Sequence, residues 1–140
     1  NARKAAERNL SRTFVLEGEN VKEILGFYTL SDTDITVPVN HKYYHKYPHP
    51  LPGVTLARMA VDIGYQGQGI AKIMVIDAMR RTLHINQNIG VVGLFVDAKD
   101  QSLVTFYGKC GFIFLQDEEH TSKLWMPMAS IETFFKERSD

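Results

Sequence analysis

The chain has 140 residues, enough for one domain that buries a core without a metal or disulfide. Lysine plus arginine equals aspartate plus glutamate at 16 each, which argues against a strongly basic nucleic-acid binder while leaving room for a local basic face. Apolar residues make up 44%, no apolar run approaches the ~18 residues of a membrane span, and the lone Cys110 excludes an internal disulfide and fits a reducing cytoplasm.

The first ten residues, NARKAAERNL, read as the end of a helix, and the start at Asn1 without methionine suggests residues upstream. RTFVLEG, from Arg12 to Gly18, has strand chemistry, and GENV supplies a turn into a hairpin partner from Glu23 to Ile35. Residues Thr36 to Gly53, with four prolines and three histidines, read as a loop. Val54 to Asp62 alternates as a strand. Ile70 to Asn86 reads as a largely buried helix with Ile70, Ile73, Met74, Asp77, Ala78 and Arg81 at helical spacing. Val91 to Ala98 is a continuous apolar run, as in a central strand. A second helix follows, with Asp100 or Ser102 as cap and Gly111 as terminator. FIFLQ and SKLWMPM form a hairpin around DEEHT, and SIETFFKERSD is a short amphipathic tail. This order predicts a mixed α/β layer, an α+β arrangement rather than a doubly wound sheet.

Between the strand at 54–62 and its helix stands GYQGQGIAK, Gly64 to Lys72. A P-loop requires G-x-x-x-x-G-K-[ST], and here Ile70 follows Gly69 with no serine or threonine for magnesium. A dinucleotide fingerprint requires G-x-G-x-x-G, and Lys72 takes its third glycine position. The remaining reading is Q-x-x-G-x-A, spelled by Gln66, Gly67, Gln68, Gly69, Ile70 and Ala71. Successive amides in such a turn donate to phosphate oxygens, and the helix adds its N-terminal dipole. A plain strand-to-helix turn remains the alternative at this point.

This motif resembles the pyrophosphate loop of the GNAT superfamily of acetyl-CoA-dependent N-acetyltransferases. Downstream, DQSLVTFYGKCGF resembles the superfamily's N-x-x-A-x-x-x-Y-x-x-x-G-F: Tyr107, Gly111 and Phe112 match, whereas Asp100 and Leu103 depart from it. The likeness covers residues 12–128. It implies a GNAT fold: a mostly antiparallel sheet with helices on both faces, splayed between the strands at 54–62 and 91–98. It also implies a single domain over 1–140 that lacks the family's first strand and helix. Acetyl-CoA is the implied cofactor, held by Met59, Ala60, Val61, Gln66, Gly67, Gln68, Gly69, Ile70, Ala71 and Asp100. A bulge in the strand before the loop would free the Met59 amide as an oxyanion donor. Tyr107 becomes the general acid for the departing thiolate. On spacing alone it is equally a packed tyrosine bonded to a backbone carbonyl.

No glutamate stands in the centre of TLARMAVD to act as base. A lysine acceptor with pKa ~10.4 wants one, whereas an α-amine at ~7.7–8 loses its proton to water far more readily. RTFVLEGENVKEILGFYTLS, LARMAVDIGYQGQGIAKIMVIDAMRR and VDAKDQSLVTFYGKCGF together look like the GNAT toxins of bacterial toxin–antitoxin modules. That likeness implies acetylation of the α-amine of aminoacyl-tRNA, arrest of translation, a ribbon-helix-helix antitoxin and a homodimer, and the lack of a long apolar run adds the expectation of no membrane association. Acetylation of a small amine or a protein N-terminus, or a silent acetyl-CoA-binding module, are the alternatives. Arg58, Lys72, Arg80, Arg81, Lys99 and Lys109 are expected around the cleft, with Lys42 and Lys46 in the loop, as partners for phosphates. His41, His45 and His49 invite a metal reading that Pro48 and Pro50 interrupt, and Tyr43, Tyr44 and Tyr47 suit stacking on bases. Cys110 reads as inert packing and Trp125 as a core or dimer-edge residue.

Overall fold

The computed structural model describes residues 11–20, 23–37, 39–40, 42, 45–46 and 50–138. The stretch read as a helix end at 1–10 lies outside them, as do His41, His49, Tyr43, Tyr44 and Tyr47. Strands β1 (Ser11–Glu17) and β2 (Ile24–Ile35) form the expected hairpin, followed by β3 (Leu51–Val61). A single 3-10 turn, Ile63–Tyr65, leads to α1 (Ile70–Asn88). Then come β4 (Gly93–Ala98), α2 (Gln101–Cys110), β5 (Ile113–Asp117), β6 (Ser122–Pro127) and α3 (Met128–Arg138).

Strand β3 begins three residues earlier than the sequence suggested. Pro52 and Gly53 read as breakers, yet both are paired with β2, and the Pro52 carbonyl accepts from the Val92 amide at 2.8 Å. The amphipathic tail is a helix because Met128 and Ile131 are buried, Ile131 completely.

Among the described residues, six strands lie in the order β1-β2-β3-β4-β6-β5, and only the β3–β4 contact is parallel. The β2–β3 register matches Leu30 with Leu56 and Thr29 with Arg58, so Ala57 is an extra residue, a bulge. The bulge reverses the in–out alternation along β3. Before it, Val54 and Leu56 enter the main core; after it, Met59 and Val61 pack against that core. Arg58 and Ala60 therefore turn to the other face.

The core has two parts. The larger cluster joins Tyr28, Leu30, Val54, Leu56, Leu94, Val96, Leu124 and Met126 of the sheet to buried residues of α1, α2 and α3. The smaller one, on the opposite side of β4 and β6, holds Ile35, Val37, Leu51, Val92, Phe95, Leu115 and Trp125. Trp125 is thus a core residue, stacked on Phe95 at 5.2 Å. The buried apolar residues of the described helices belong to the larger cluster, so these helices cover that face of the sheet. The α1 stripe also differs from the expected one. Ile70, Met74, Val75, Ala78, Met79 and Thr82 are buried, while Ile73 is exposed and Asp77 and Arg81 flank the contact.

Candidate active site

The splay between β3 and β4 is present. The strands pair at Val54–Leu94, Thr55–Phe95 and Leu56–Val96, and no further pair follows. The bulge at Ala57 sits at that parting. Beyond it, the backbone orientation of β3 can be read from its contacts. The Asp62 amide donates to the Leu25 carbonyl of β2 at 2.8 Å. A Cβ placed on Gly26 of β2 would lie 2.6 Å from the Ala60 carbonyl oxygen. Backbone groups alternate sides along a strand, so Asp62, Ala60 and Arg58 turn theirs to β2. Met59 and Val61 turn theirs to the gap. The Val61 carbonyl confirms this side, because it accepts from the Gln66 side-chain amide of the loop at 3.3 Å. Ala60, expected among the cofactor contacts, instead spends its backbone on β2.

The loop completes one end of the gap. Asp62 caps the 3-10 turn: its carboxylate accepts from the Gly64 amide at 2.9 Å and its carbonyl from Tyr65 at 2.9 Å. Gly67 and Gly69 then adopt φ of 80° and 81°, where an L-residue is strained. A Cβ at either would meet nothing within 4 Å, so the demand comes from backbone conformation, and the space above them is open. Gly69 is the N-cap of α1 and provides no side-chain cap. The first bond of this helix runs from the Ile73 amide to the Gly69 carbonyl at 3.1 Å, which leaves the Ile70, Ala71 and Lys72 amides directed out of the helix end. Gln66, Gly67, Gln68 and Gly69 are exposed, and Ile70 anchors the turn in the core. Open glycines, an uncapped helix of 19 residues and a free strand edge fit the diphosphate and extended arm of acetyl-CoA.

Tyr107 lies on α2, only 6% exposed, with Phe106 and Phe112 edge-on at 5.2 and 5.4 Å. Among the described residues its hydroxyl has no hydrogen-bond partner, so the packed-tyrosine alternative lacks its backbone carbonyl. Burial, with a smaller push from Cys110, raises the phenol to about 12. Cys110 is one turn further on and half-buried. Burial raises its thiol, and the Lys72 ammonium on the first turn of α1 pulls the other way. That influence sets the first turn of α1 within electrostatic reach of the last turn of α2. Gly111, at φ 107°, closes α2 as expected.

Asp100 serves the fold through one of its oxygens, Oδ1. It caps α2, accepting from the Leu103 amide at 3.0 Å and the Ser102 hydroxyl at 2.7 Å, and these bonds hold its carboxyl below the usual range. Two expected phosphate cations are also committed to packing. The Arg81 guanidinium lies 3.7 Å over Phe14 and donates to Tyr28 Oη at 2.9 Å and Asp77 at 3.1 Å, while Arg80 lies 4.5 Å over Phe135. Tyr28 in turn donates to Asp77, and burial and that carboxylate push its phenol well up.

One feature escaped the sequence reading. Asp97 of β4 faces Lys123 of β6, with Nζ 2.7 Å from Asp97 Oδ1 and 3.8 Å from Glu118. Lys123 is only 8% exposed. The signal was visible as a lone aspartate in the apolar run LFVDA and a lone lysine in SKLWMP.

Residues 9–114 match the acetyltransferase (GNAT) domain family, and the chain belongs to that family. A tRNA-acetylating toxin of Mycobacterium tuberculosis (strain ATCC 25618 / H37Rv) is 28% identical over 85 residues, 60% of this chain and 51% of that protein. The chain thus spans about half the length of that curated relative. Among solved structures, AtaT complexed with acetyl-methionyl-tRNAfMet is 33% identical with a TM-score of 0.79, over 89% of this chain and 75% of that one. A mutant AtaT toxin bound to the C-terminus of the antitoxin AtaR and acetyl-CoA is 33% identical with a TM-score of 0.74, over 89% and 72% of the two chains.

Proposed function

We propose that this chain is an acetyl-CoA-dependent N-acetyltransferase that acts as a toxin, acetylating the α-amine of aminoacyl-tRNA in the cytoplasm and so stopping translation. The observation that carries it is the uncapped start of α1, behind two positive-φ glycines, opening beside the free edge of β3. Acetyl-CoA supplies the activated acetyl thioester. The amides of Gly67 to Ala71 hold its diphosphate, and the gap-facing backbone groups of Met59 and Val61 hold the extended arm. The Met59 amide also donates to the acyl oxygen as negative charge builds there.

Tyr107 Oη gives its proton to the departing sulfur. With the phenol at about 12 and a free thiol near ~8.5, that transfer is uphill by ~5 kcal/mol. The same desolvation that raises the phenol also raises the thiol, which narrows the difference. The absence of a carboxylate in the middle of β3 favours an acceptor that sheds its proton to water. An α-amine does so and a lysine does not.

The reading extends to 1–140 as a single domain, to a ribbon-helix-helix antitoxin as partner and to a homodimer. The supporting likeness is to AtaT, whose solved complexes contain an acetylated aminoacyl-tRNA and an antitoxin tail. Labelled acetyl-CoA offered to total charged tRNA, polyamines and peptides tests the acceptor. Label is expected on the aminoacyl group, and label confined to small amines or peptides overturns the tRNA reading. Calorimetry with acetyl-CoA tests the family role: a flat trace removes it.

A further inference from the structure

The gap in the sheet has a second face, and the charges on it are not used by the chemistry above. Tyr107 and the helices belong to one side of the sheet. On the other, Asp97 is the first residue of β4 past the last β3–β4 pair, Leu56–Val96. Leu94, Val96 and Ala98 point into the main core and Phe95 into the smaller cluster, so alternation turns Asp97 to the face without described helices. Its Oδ1 is held by Lys123 at 2.7 Å, and Oδ2 has no partner among the described residues. The carboxylate is 41% exposed while the lysine that holds it is nearly buried. The pair is therefore a fixed anion facing outwards.

Across the gap stands Arg58, the first residue of β3 after the bulge. The reversed alternation puts it on the same face as Asp97. It is exposed, and among the described residues its guanidinium has no ion-pair partner. The gap is thus flanked by a positioned anion on one strand and an exposed cation on the other. That pattern is complementary to a molecule carrying an ammonium and, a few atoms away, a phosphate.

We propose that the open face of the gap selects its acceptor by this charge pair, with Asp97 Oδ2 receiving the acceptor's ammonium, which then loses its proton to water before it attacks, and Arg58 an adjacent phosphodiester. This deepens the aminoacyl-tRNA reading and rests on it for the phosphate half alone. A buried lysine left without Asp97 would destabilise the fold, so the test uses Asp97→Asn together with the double variant Asp97→Asn, Lys123→Met. Melting curves check that each is folded. Initial rates are measured with total aminoacyl-tRNA and, separately, with amino-acid amides, which carry the ammonium and no phosphate.

Both Asp97 variants are expected to raise the acceptor KM by ~10–100-fold with either substrate, the scale of a lost charge-assisted hydrogen bond. The KM for acetyl-CoA should stay within about twofold. Glu118→Gln, which alters only the 3.8 Å contact to Lys123 and a bond from Gln116, should leave the acceptor KM unchanged. Arg58→Ala is expected to raise KM for aminoacyl-tRNA alone and to flatten its logarithmic salt dependence by about 0.7–0.9. An unchanged acceptor KM in folded Asp97 variants overturns the inference, and so does an Arg58→Ala effect of equal size on the amides. If the wild type acetylates the amides and no tRNA, the tRNA reading and the Arg58 half both fall. The amide arm then still decides Asp97.

Discussion

The two helices that flank the gap start in opposite ways. α2 begins with Asp100, whose carboxylate accepts from Leu103 and Ser102 and closes the helix end on itself. α1 begins with Gly69, which has no side chain to offer and leaves the end bare. One start is closed by its own side chain and the other is open. The sequence likeness had placed both Asp100 and the glycine loop at the cofactor. The difference teaches that Asp100 gives one carboxylate oxygen to the fold, whereas Gly69 has no side chain to give. It also implies that damage at the two starts should register in different measurements.

The largest expected effect lies at Tyr107, which stands two turns beyond the cap of α2. Tyr107→Phe should lower kcat by ~10²–10⁴-fold while acetyl-CoA binding measured by calorimetry holds. Equal losses in binding and rate would make Tyr107 a packing residue and leave α2 without a chemical role. Next comes Gly69→Ala. An L-residue at φ 81° is strained by ~1–2 kcal/mol. The loop should relax away from its anion-binding shape, and the Kd for acetyl-CoA should rise roughly tenfold. An unchanged Kd would mean that the bare helix end does not hold the diphosphate.

A pH profile sharpens the contrast further. The rate should climb as the acceptor amine loses its proton near ~7.7–8 and then stay flat to about pH 10. Burial has moved the Tyr107 phenol from 10.0 to about 12, so it remains protonated through that range. The linkage has a definite sign. A raised folded pKa stabilises fully below the unfolded value of 10.0, and that contribution is lost as pH climbs through about 12. A descending limb centred near pH 8–9 would exclude the phenol as the acid. The smallest effect belongs to Asp100→Ala. It should lower Tm by a few degrees and leave acetyl-CoA affinity untouched. A clear loss of affinity would restore Asp100 as a cofactor contact and erase the distinction between the two starts.

Much of this was legible in the chain because it is local. Among the described residues, Gly67, Gly69 and Gly111 occupy the three positive-φ positions, and a residue that must be left-handed advertises itself as glycine. The Asp100 cap, the β1–β2 hairpin and the β5–β6 hairpin all depend on neighbours within a few residues. The failures share the opposite character. Pro52 and Gly53 read as loop, because nothing nearby in sequence reports that Pro52 meets Val92 and Gly53 meets the Phe95 ring. Arg81 read as a phosphate contact, because its partners Phe14 and Tyr28 lie more than fifty residues away. The bulge was expected near Met59 and lies at Ala57, since its position depends on the register against β2.

Taken by itself, the amino-acid order determined the elements, the bent glycine turn and the tyrosine that follows it, because backbone conformation and capping are settled by short-range sterics and hydrogen bonds. The tertiary structure alone decided which way those parts face. One extra residue in β3 exchanges the inward and outward sets beyond it, turns the Met59 and Val61 side chains to the core, and sends Arg58 out beside Asp97. Side-chain direction in a sheet has a period of two, so a shift of a single residue in long-range pairing inverts it, and no local pattern carries that information.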